Sequence, residues 1–188
     1  MFKKIILLVC LLASLSSCIP AAFVVGATVG GVVIYDRRTI STMLQDREIA
    51  NRAQATLDAA PQLRGTHIVV TSFNHIVLIV GQTPAPEQRA LAENLISKIP
   101  NIKRIYNRIT IAAPSSTLVR TNDAWITSKV KTMMLAKPGL HSGEIKVLTE
   151  NSVVYLMGIV TRKQAQLAIG VARQVAGVQE VVTIFEYE

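Results

Sequence analysis

The chain has 188 residues, half of them apolar and only 17% charged, with a formal net charge of +8. That much apolar surface suits one or two folded domains and excludes a chain that is disordered throughout. The charge excess is basic and favours anionic partners: nucleic acid if the chain stays with the chromosome, lipid headgroups or acidic proteins if the chain is exported.

The N-terminus reads as an export leader. Lys3 and Lys4 precede an apolar run, Ile5 to Leu15, and the small residues Ser16, Ser17 and Cys18 follow. An ordinary secretory signal cleaved after a small residue fits this layout. Leu15-Ser16-Ser17-Cys18 also resembles the bacterial lipoprotein signal, in which the cysteine is lipidated and becomes the first residue. On that reading 1–17 is the signal peptide and Cys18 the lipid attachment site. Cys10 leaves with the leader, so no disulfide can form within the mature chain, and cysteine metal or redox chemistry is excluded. Ile19 stands where aspartate commonly marks inner-membrane retention, which implies delivery to the outer membrane. Without Lys3 and Lys4, 18 basic residues face 12 acidic ones, a net +6.

Pro20 to Ile34 is apolar but shorter than the roughly 20 residues of a spanning helix, and Gly26, Gly30 and Gly31 weaken it further. It reads as part of a tether covering 18–44.

From there the chain repeats itself. HIVLIVGQT (His75 to Thr83) and SVVYLMGIV (Ser152 to Val160) are apolar runs around Gly81 and Gly158, 77 positions apart. The same offset pairs Asp46 with Asp123, Ile49 with Ile126, Leu57 with Met134, Ile68 with Ile145 and Val70 with Val147. Downstream it becomes 76, pairing Leu91 with Leu167, Ile99 with Val175, Ile102 with Val178 and Ile109 with Phe185. A duplicated domain explains this register.

In each copy Ile49, Ala53 and Leu57, or Ile126, Val130 and Met134, recur at i, i+4 and i+8, one face of a helix. Two β-rich runs follow, 66–72 and 75–80 around Phe73-Asn74, then 144–149 and 153–157 around Glu150-Asn151-Ser152, which predict hairpins. A second amphipathic helix (86–99 and 162–175) and a last strand (104–111 and 180–187) complete the order α-β-β-α-β. The expected fold is α+β: a small mixed sheet in each copy, with two helices on one face. Domain 1 spans 45–112, a linker 113–120 and domain 2 121–188. Each copy is near the lower size limit for an independent core, so the two are expected to pack together.

The pattern resembles the BON domain, which bacterial envelope proteins carry singly or in tandem. NDAWITSKVK and IKVLTENSVVYLMGIVT carry the likeness most specifically, and VLIVGQ carries it more loosely in copy one. The resemblance implies a two-copy outer-membrane lipoprotein that binds anionic phospholipid through its second copy. It further implies a role in envelope integrity, including at the division site, with envelope or division-site proteins as possible partners.

The duplication also acts as a control on Trp125, the sole tryptophan. Were Trp125 and its neighbours simply core, the matching positions of copy one would be apolar too. Instead Trp125 falls on Glu48, Met133 on Thr56 and Leu135 on Asp58. At about 100° per residue, Trp125, Ser128, Thr132 and Leu135 form a stripe opposite the core face, with Lys129 and Lys131 at its borders. Tryptophan at headgroup level, leucine at the acyl boundary and lysines snorkelling to phosphate describe an interfacial membrane contact. Packing of Trp125 against the other domain or the linker is the competing reading. An adaptor or chaperone-like factor that binds polypeptide through the same face is the competing function.

No enzymatic arrangement emerges, and no cofactor or metal is expected. His67, His75 and His141 lack metal spacing and show no obvious carboxylate partner, and neither a nucleophile elbow nor a phosphate loop is present. Asp46 and Asp123 read as helix-start residues. Gly158 reads as a backbone requirement of the fold.

Overall fold

Thr39 sets where the first helix begins. Its backbone stays extended (φ −68°, ψ 156°) while its side chain accepts the Thr42 N–H at 3.1 Å. The computed structural model describes residues 36–188, so the leader, Cys18 and the tether up to residue 35 lie outside the described residues. The elements are α1 (Ile40–Asp58), β1 (His67–Phe73), β2 (Ile76–Thr83), α2 (Pro86–Ser97), β3 (Arg104–Ile111), α3 (Thr117–Leu135), β4 (Ile145–Glu150), β5 (Val153–Val160), α4 (Arg162–Arg173) and β6 (Glu180–Tyr187).

The first helix of each copy begins before the expected domain starts at 45 and 121. The helix α1 starts inside the segment 18–44 assigned to the tether, because one capping threonine fixes its start well before its apolar periodicity begins. Ser116 caps α3 in the same way, accepting the Val119 N–H at 3.3 Å. Helix α3 therefore begins within the segment 113–120 expected as the linker.

In each copy the hairpin strands are antiparallel and the third strand pairs parallel to the second, in the orders β1-β2-β3 and β4-β5-β6. Both turns hold two residues, Asn74–His75 and Asn151–Ser152, all at positive φ (51°, 65°, 50° and 64°). Such turns match the twist of the strands, but histidine and serine pay strain in the left-handed region. A buried aspartate compensates. Asp46 accepts the Asn74 and His75 N–H groups at 2.7 and 2.8 Å, and Asp123 accepts those of Asn151 and Ser152, both at 2.8 Å. Asp46 and Asp123 are thus not helix-start residues. Each lies inside its helix, buried to 3% and 4% exposure, and ties that helix to a hairpin turn.

The paired glycines allow close backbone approach where the second strand passes the first. A Cβ on Gly81 (φ +124°) would lie 2.0 Å from the His67 carbonyl oxygen, and one on Gly158 would lie 2.7 Å from that of Glu144. The strands consequently continue past both glycines, to Thr83 and Val160, three residues beyond the expected ends.

Alternation along the strands divides the apolar residues between two faces. Val77 and Ile79 join Ile49, Ala53, Leu57, Ala92 and Ile96 in the core of domain 1. Val154 and Leu156 do the same with Ile126, Val130, Met134 and Val171 in domain 2. On the opposite faces, Phe73, Ile76, Leu78 and Val80 meet Tyr155, Met157 and Ile184. The two sheets therefore pack on each other with helices outside, four layers in all. That explains why β2 is buried along its whole length rather than at alternate residues.

Polar bonds tie the edges of this junction. Gln82 donates to Glu150 at 2.8 Å and accepts the Ser115 N–H at 3.0 Å. Lys146 on edge strand β4 donates to the Ser72 carbonyl on edge strand β1 at 2.9 Å. Burial, reinforced by the charges of Arg38 and Lys131, lowers the Lys146 pKa to about 8 despite the nearby Asp46.

Candidate functional site

Helix α3 buries Asp123, Ile126, Val130 and Met134 and turns the rest of its surface outward. Trp125 is 52% exposed and Leu135 53%, while Ser128, Lys129, Lys131 and Thr132 are all exposed. Every residue of the stripe expected from the sequence thus faces outward. Trp125 is absent from the cluster joining the two sheets, so the packing alternative finds no support there.

Sequence reading missed Leu118, which at 80% is the most exposed large apolar side chain described. It lies seven residues before Trp125, two turns away on the same side of the helix. The signal that places it on the helix is the serine cap at Ser116.

The hydroxyls on this face are satisfied within the helix. Thr121 donates to the Thr117 carbonyl at 2.9 Å, Ser128 to Ala124 at 3.0 Å and Thr132 to Ser128 at 2.9 Å. The stripe can therefore leave bulk water without orphaning a hydroxyl donor, a burial that otherwise costs a few kcal/mol.

Helix α1 uses the matching positions differently. Glu48 and Arg52 form an ion pair at 2.7 Å, where α3 has Trp125 and Lys129. Gln54 clamps the edge of β1, donating to the Ile68 carbonyl at 3.1 Å and accepting the Val70 N–H at 3.1 Å, and also donates to Asp58 at 2.9 Å. In α3 those positions are Lys131 and Leu135, and no such clamp is made there. The exposed charges of α1 cancel, Arg47 and Arg52 against Glu48 and Asp58. Those of α3 (Arg120, Lys129 and Lys131) are all positive.

Beside this face a groove of about 420 Å³ runs between α3 and β1, lined by His67, Val69, Arg120, Ser128, Leu148 and Glu150 among others. It holds a pair the sequence did not reveal: His67 Nε2 lies 3.4 Å from Glu150 Oε2 of the other domain. His141 likewise lies 3.4 Å from Glu144, and His75 bonds Gln45 at 2.9 Å. The expectation that no histidine has a carboxylate partner is therefore corrected for His67 and His141. Among the described residues no cluster of His, Cys, Asp and Glu is placed to hold a metal ion, and no helix is long and apolar enough to cross a membrane.

Two copies of one α-β-β-α-β unit, each with its hairpin turn held by a helix aspartate, define a tandem-domain protein. The family model of the BON domain matches residues 45–113 and 122–188, and the chain belongs to the BON-domain family. It is 28% identical over 186 residues to the Outer membrane lipoprotein DolP of Haemophilus influenzae, spanning 98% of this chain and 96% of that one. It is 33% identical over 153 residues to the 21 kDa hemolysin of Actinobacillus pleuropneumoniae, spanning 81% and 79%. Among solved structures, CdsD, a structural protein of the type III secretion system of Chlamydia trachomatis, is similar at 16% identity, over 76% of this chain and 63% of that one. Its TM-score of 0.30 is too low to inform the fold here.

Proposed function

We propose that the chain is a non-catalytic outer-membrane lipoprotein, anchored through Cys18 and facing the periplasm, whose second domain binds anionic phospholipid through α3. The observation that carries this reading is the exchange between the two copies. Where α1 places an ion pair and a strand clamp, α3 places Trp125, Lys129, Lys131 and Leu135 on an exposed face with uniformly positive charge. Similarity along nearly the whole chain to a protein named as an outer-membrane lipoprotein supports the location.

The face suits a shallow contact. Trp125 and Leu118 supply apolar area at headgroup depth, Leu135 reaches the acyl boundary, and Ser128 and Thr132 present little free polarity between them. Lys129 and Lys131 each add about 1 kcal/mol near an anionic surface before screening by salt. These terms are weak alone, and the anchor converts them into a local, intramolecular association.

The test follows the emission of Trp125 in residues 19–188, titrated with vesicles with and without anionic lipid. A blue shift that requires anionic lipid and disappears in high salt is expected. An emission that never responds to vesicles, together with salt-independent capture of polypeptides through Trp125, would replace lipid binding with the adaptor function.

A further inference from the structure

The exchange of charge between the two copies is not confined to their first helices. At the offset of 76, Lys163 of α4 falls on Glu87 of α2, Arg173 on Ser97 and Arg162 on Pro86. Helix α4 therefore exposes three cations and no acid, where α2 exposes Glu87, Arg89 and Glu93. Together α3 and α4 expose six cations, and their one acid, Asp123, is buried.

Some of these choices work against the helix that carries them. Arg162 and Lys163 directly follow the cap, Thr161, where the partial positive charge of a helix N-terminus favours an acid such as Glu87 in α2. Gly170 lies inside α4, where glycine weakens a helix, and a Cβ there would meet nothing within 4 Å, so packing does not require it. Only Arg173, in the last turn, suits the helix dipole. At about 100° per residue Lys163, Gly170 and Arg173 share the side turned away from Ala165, Ala168 and Ala172, which are buried.

Contacts at both ends lay α4 beside α3, antiparallel on the same face of the domain 2 sheet. Gln164 at the start of α4 accepts the His141 N–H at 2.9 Å and donates to the Gly139 carbonyl at 2.7 Å, both just past the end of α3. Gly177, just past α4, packs on the first half of α3, where an added Cβ would lie 3.2 Å from Ile126 Cδ1 and 4.0 Å from Asn122 Nδ2. Asn122 thus marks the flank of α3 that turns towards α4. Leu118, Trp125 and Lys129, four residues before it and three and seven after it, stand on that flank. Thr127 marks the other flank, with its hydroxyl 2.7 Å from that of Thr149 on β4, and Arg120 and Lys131 lie on that side. The large apolar side chains of α3 therefore lean towards α4, so a surface that takes up Trp125 and Leu118 also lies over α4.

We infer that α3 and α4 together form the surface that meets an anionic bilayer, with Lys163 and Arg173 reaching lipid phosphates beside Trp125 and Lys129, and Gly170 letting headgroups approach the α4 backbone. This rests on the reading of α3 as a lipid-binding helix and widens it to the whole helix layer of domain 2. Charge complementarity selects the occupant, since cations spread over two adjacent helices with no exposed acid between them match an extended anionic plane. Two parallel lines of contact also fix an orientation, where one helix would leave the domains free to roll. The helix layer of domain 1, with its mixed charges, then faces away from the lipid.

The experiment compares two charge reversals in the full chain after Cys18, residues 19–188, read by co-sedimentation with phosphatidylglycerol vesicles at low salt and by Trp125 emission. Lys163→Glu places the domain 1 residue at the start of α4, where an acid favours the helix, so folding is not put at risk. Arg47→Glu makes the same change of net charge on the exposed side of α1, in the opposite helix layer. One cation near an anionic surface is worth about fivefold in affinity, so Lys163→Glu should weaken binding at least about fivefold and Arg47→Glu less than about twofold. Equal losses would show that net charge alone acts, and overturn the proposal. Unchanged binding of Lys163→Glu, with Trp125 still shifting on vesicles, confines the contact to α3 and also overturns it. A loss seen with soluble polyglutamate but not with vesicles replaces the bilayer by an acidic polypeptide. If Trp125 never responds to vesicles, the α3 reading itself falls, and the shared surface with it.

Discussion

Domains 1 and 2 share a core and a hairpin lock but not an outer surface, and the contrast between α1 and α3 shows which positions the fold requires. Ile49, Ala53 and Leu57 match Ile126, Val130 and Met134 in role and burial, and Asp46 matches Asp123 in both bonds to its turn. Glu48, Gln54 and Asp58 do not match Trp125, Lys131 and Leu135. What differs between copies of one fold is free of the fold's demands, and that is where a function specific to one domain can reside.

The largest effect should come from the positions the copies share, and should itself distinguish them. Asp46 also accepts from the Ser72 hydroxyl at 2.7 Å and pairs with Arg38, bonds that Asp123 lacks. Asp46→Ala should cost roughly 3–5 kcal/mol, since it leaves a partly buried guanidinium short of a partner as well as two turn amides. Asp123→Ala should cost about 2–3 kcal/mol. Chemical denaturation of both variants measures the gap, and equal losses would mean that the Arg38 and Ser72 bonds contribute nothing. Burial pushes the Asp46 pKa up, but the bonds from Ser72, His75, Asn74 and Arg38 outweigh it and hold it below 3.8. Its contribution is therefore complete above pH 4 and fades as pH falls through the lower folded value.

The shared architecture was legible because it is periodic. Spacing at i, i+4 and i+8 exposed the helices, and a glycine at a constant offset exposed the hairpins. The lock by Asp46 and Asp123 was not, because each aspartate meets partners 28 and 29 residues away and nothing local distinguishes it from a helix-start acid. The same holds for His67 with Glu150, which join only when two sheets pack. The exposed stripe of α3 was legible through the duplication, residue by residue. Leu118 escaped because it precedes the periodic core positions, and only the cap at Ser116 places it on a helix.

A smaller effect separates the domains at Lys146, whose counterpart at the offset of 77 is Val69. The folded pKa of about 8 lies below the ordinary 10.5, so between those values the unfolded chain holds more protons and stability rises with pH. Below pH 8 the buried ammonium costs the folded state on the order of 1–2 kcal/mol after allowance for its partial exposure. Lys146→Val should flatten the rise between pH 8 and 10.5 in thermal melts, while losing the bond to the Ser72 carbonyl. A rise that persists in the variant would assign it to another group.

The smallest effect is the sharpest, because its two readouts should move in opposite directions. Gln54 clamps the β1 edge in domain 1, and Lys131 occupies the same position beside the β4 edge. Lys131→Gln restores the domain 1 residue, whose amide can reach the Ile145 carbonyl and the Val147 N–H, the counterparts of the groups Gln54 holds. A well-made pair of this kind should add about 0.5–1 kcal/mol of stability. The same substitution removes one positive charge from the face proposed to meet lipid and, on that proposal, should weaken binding to anionic vesicles by about 1 kcal/mol, roughly fivefold, at low salt. If the variant becomes more stable and binds less well, Lys131 sits where the duplicated fold gave up a strand clamp for membrane affinity. If it becomes more stable with binding unchanged, Lys131 is a solvated surface residue and the contact on α3 must rest on Trp125, Leu135 and Lys129 alone.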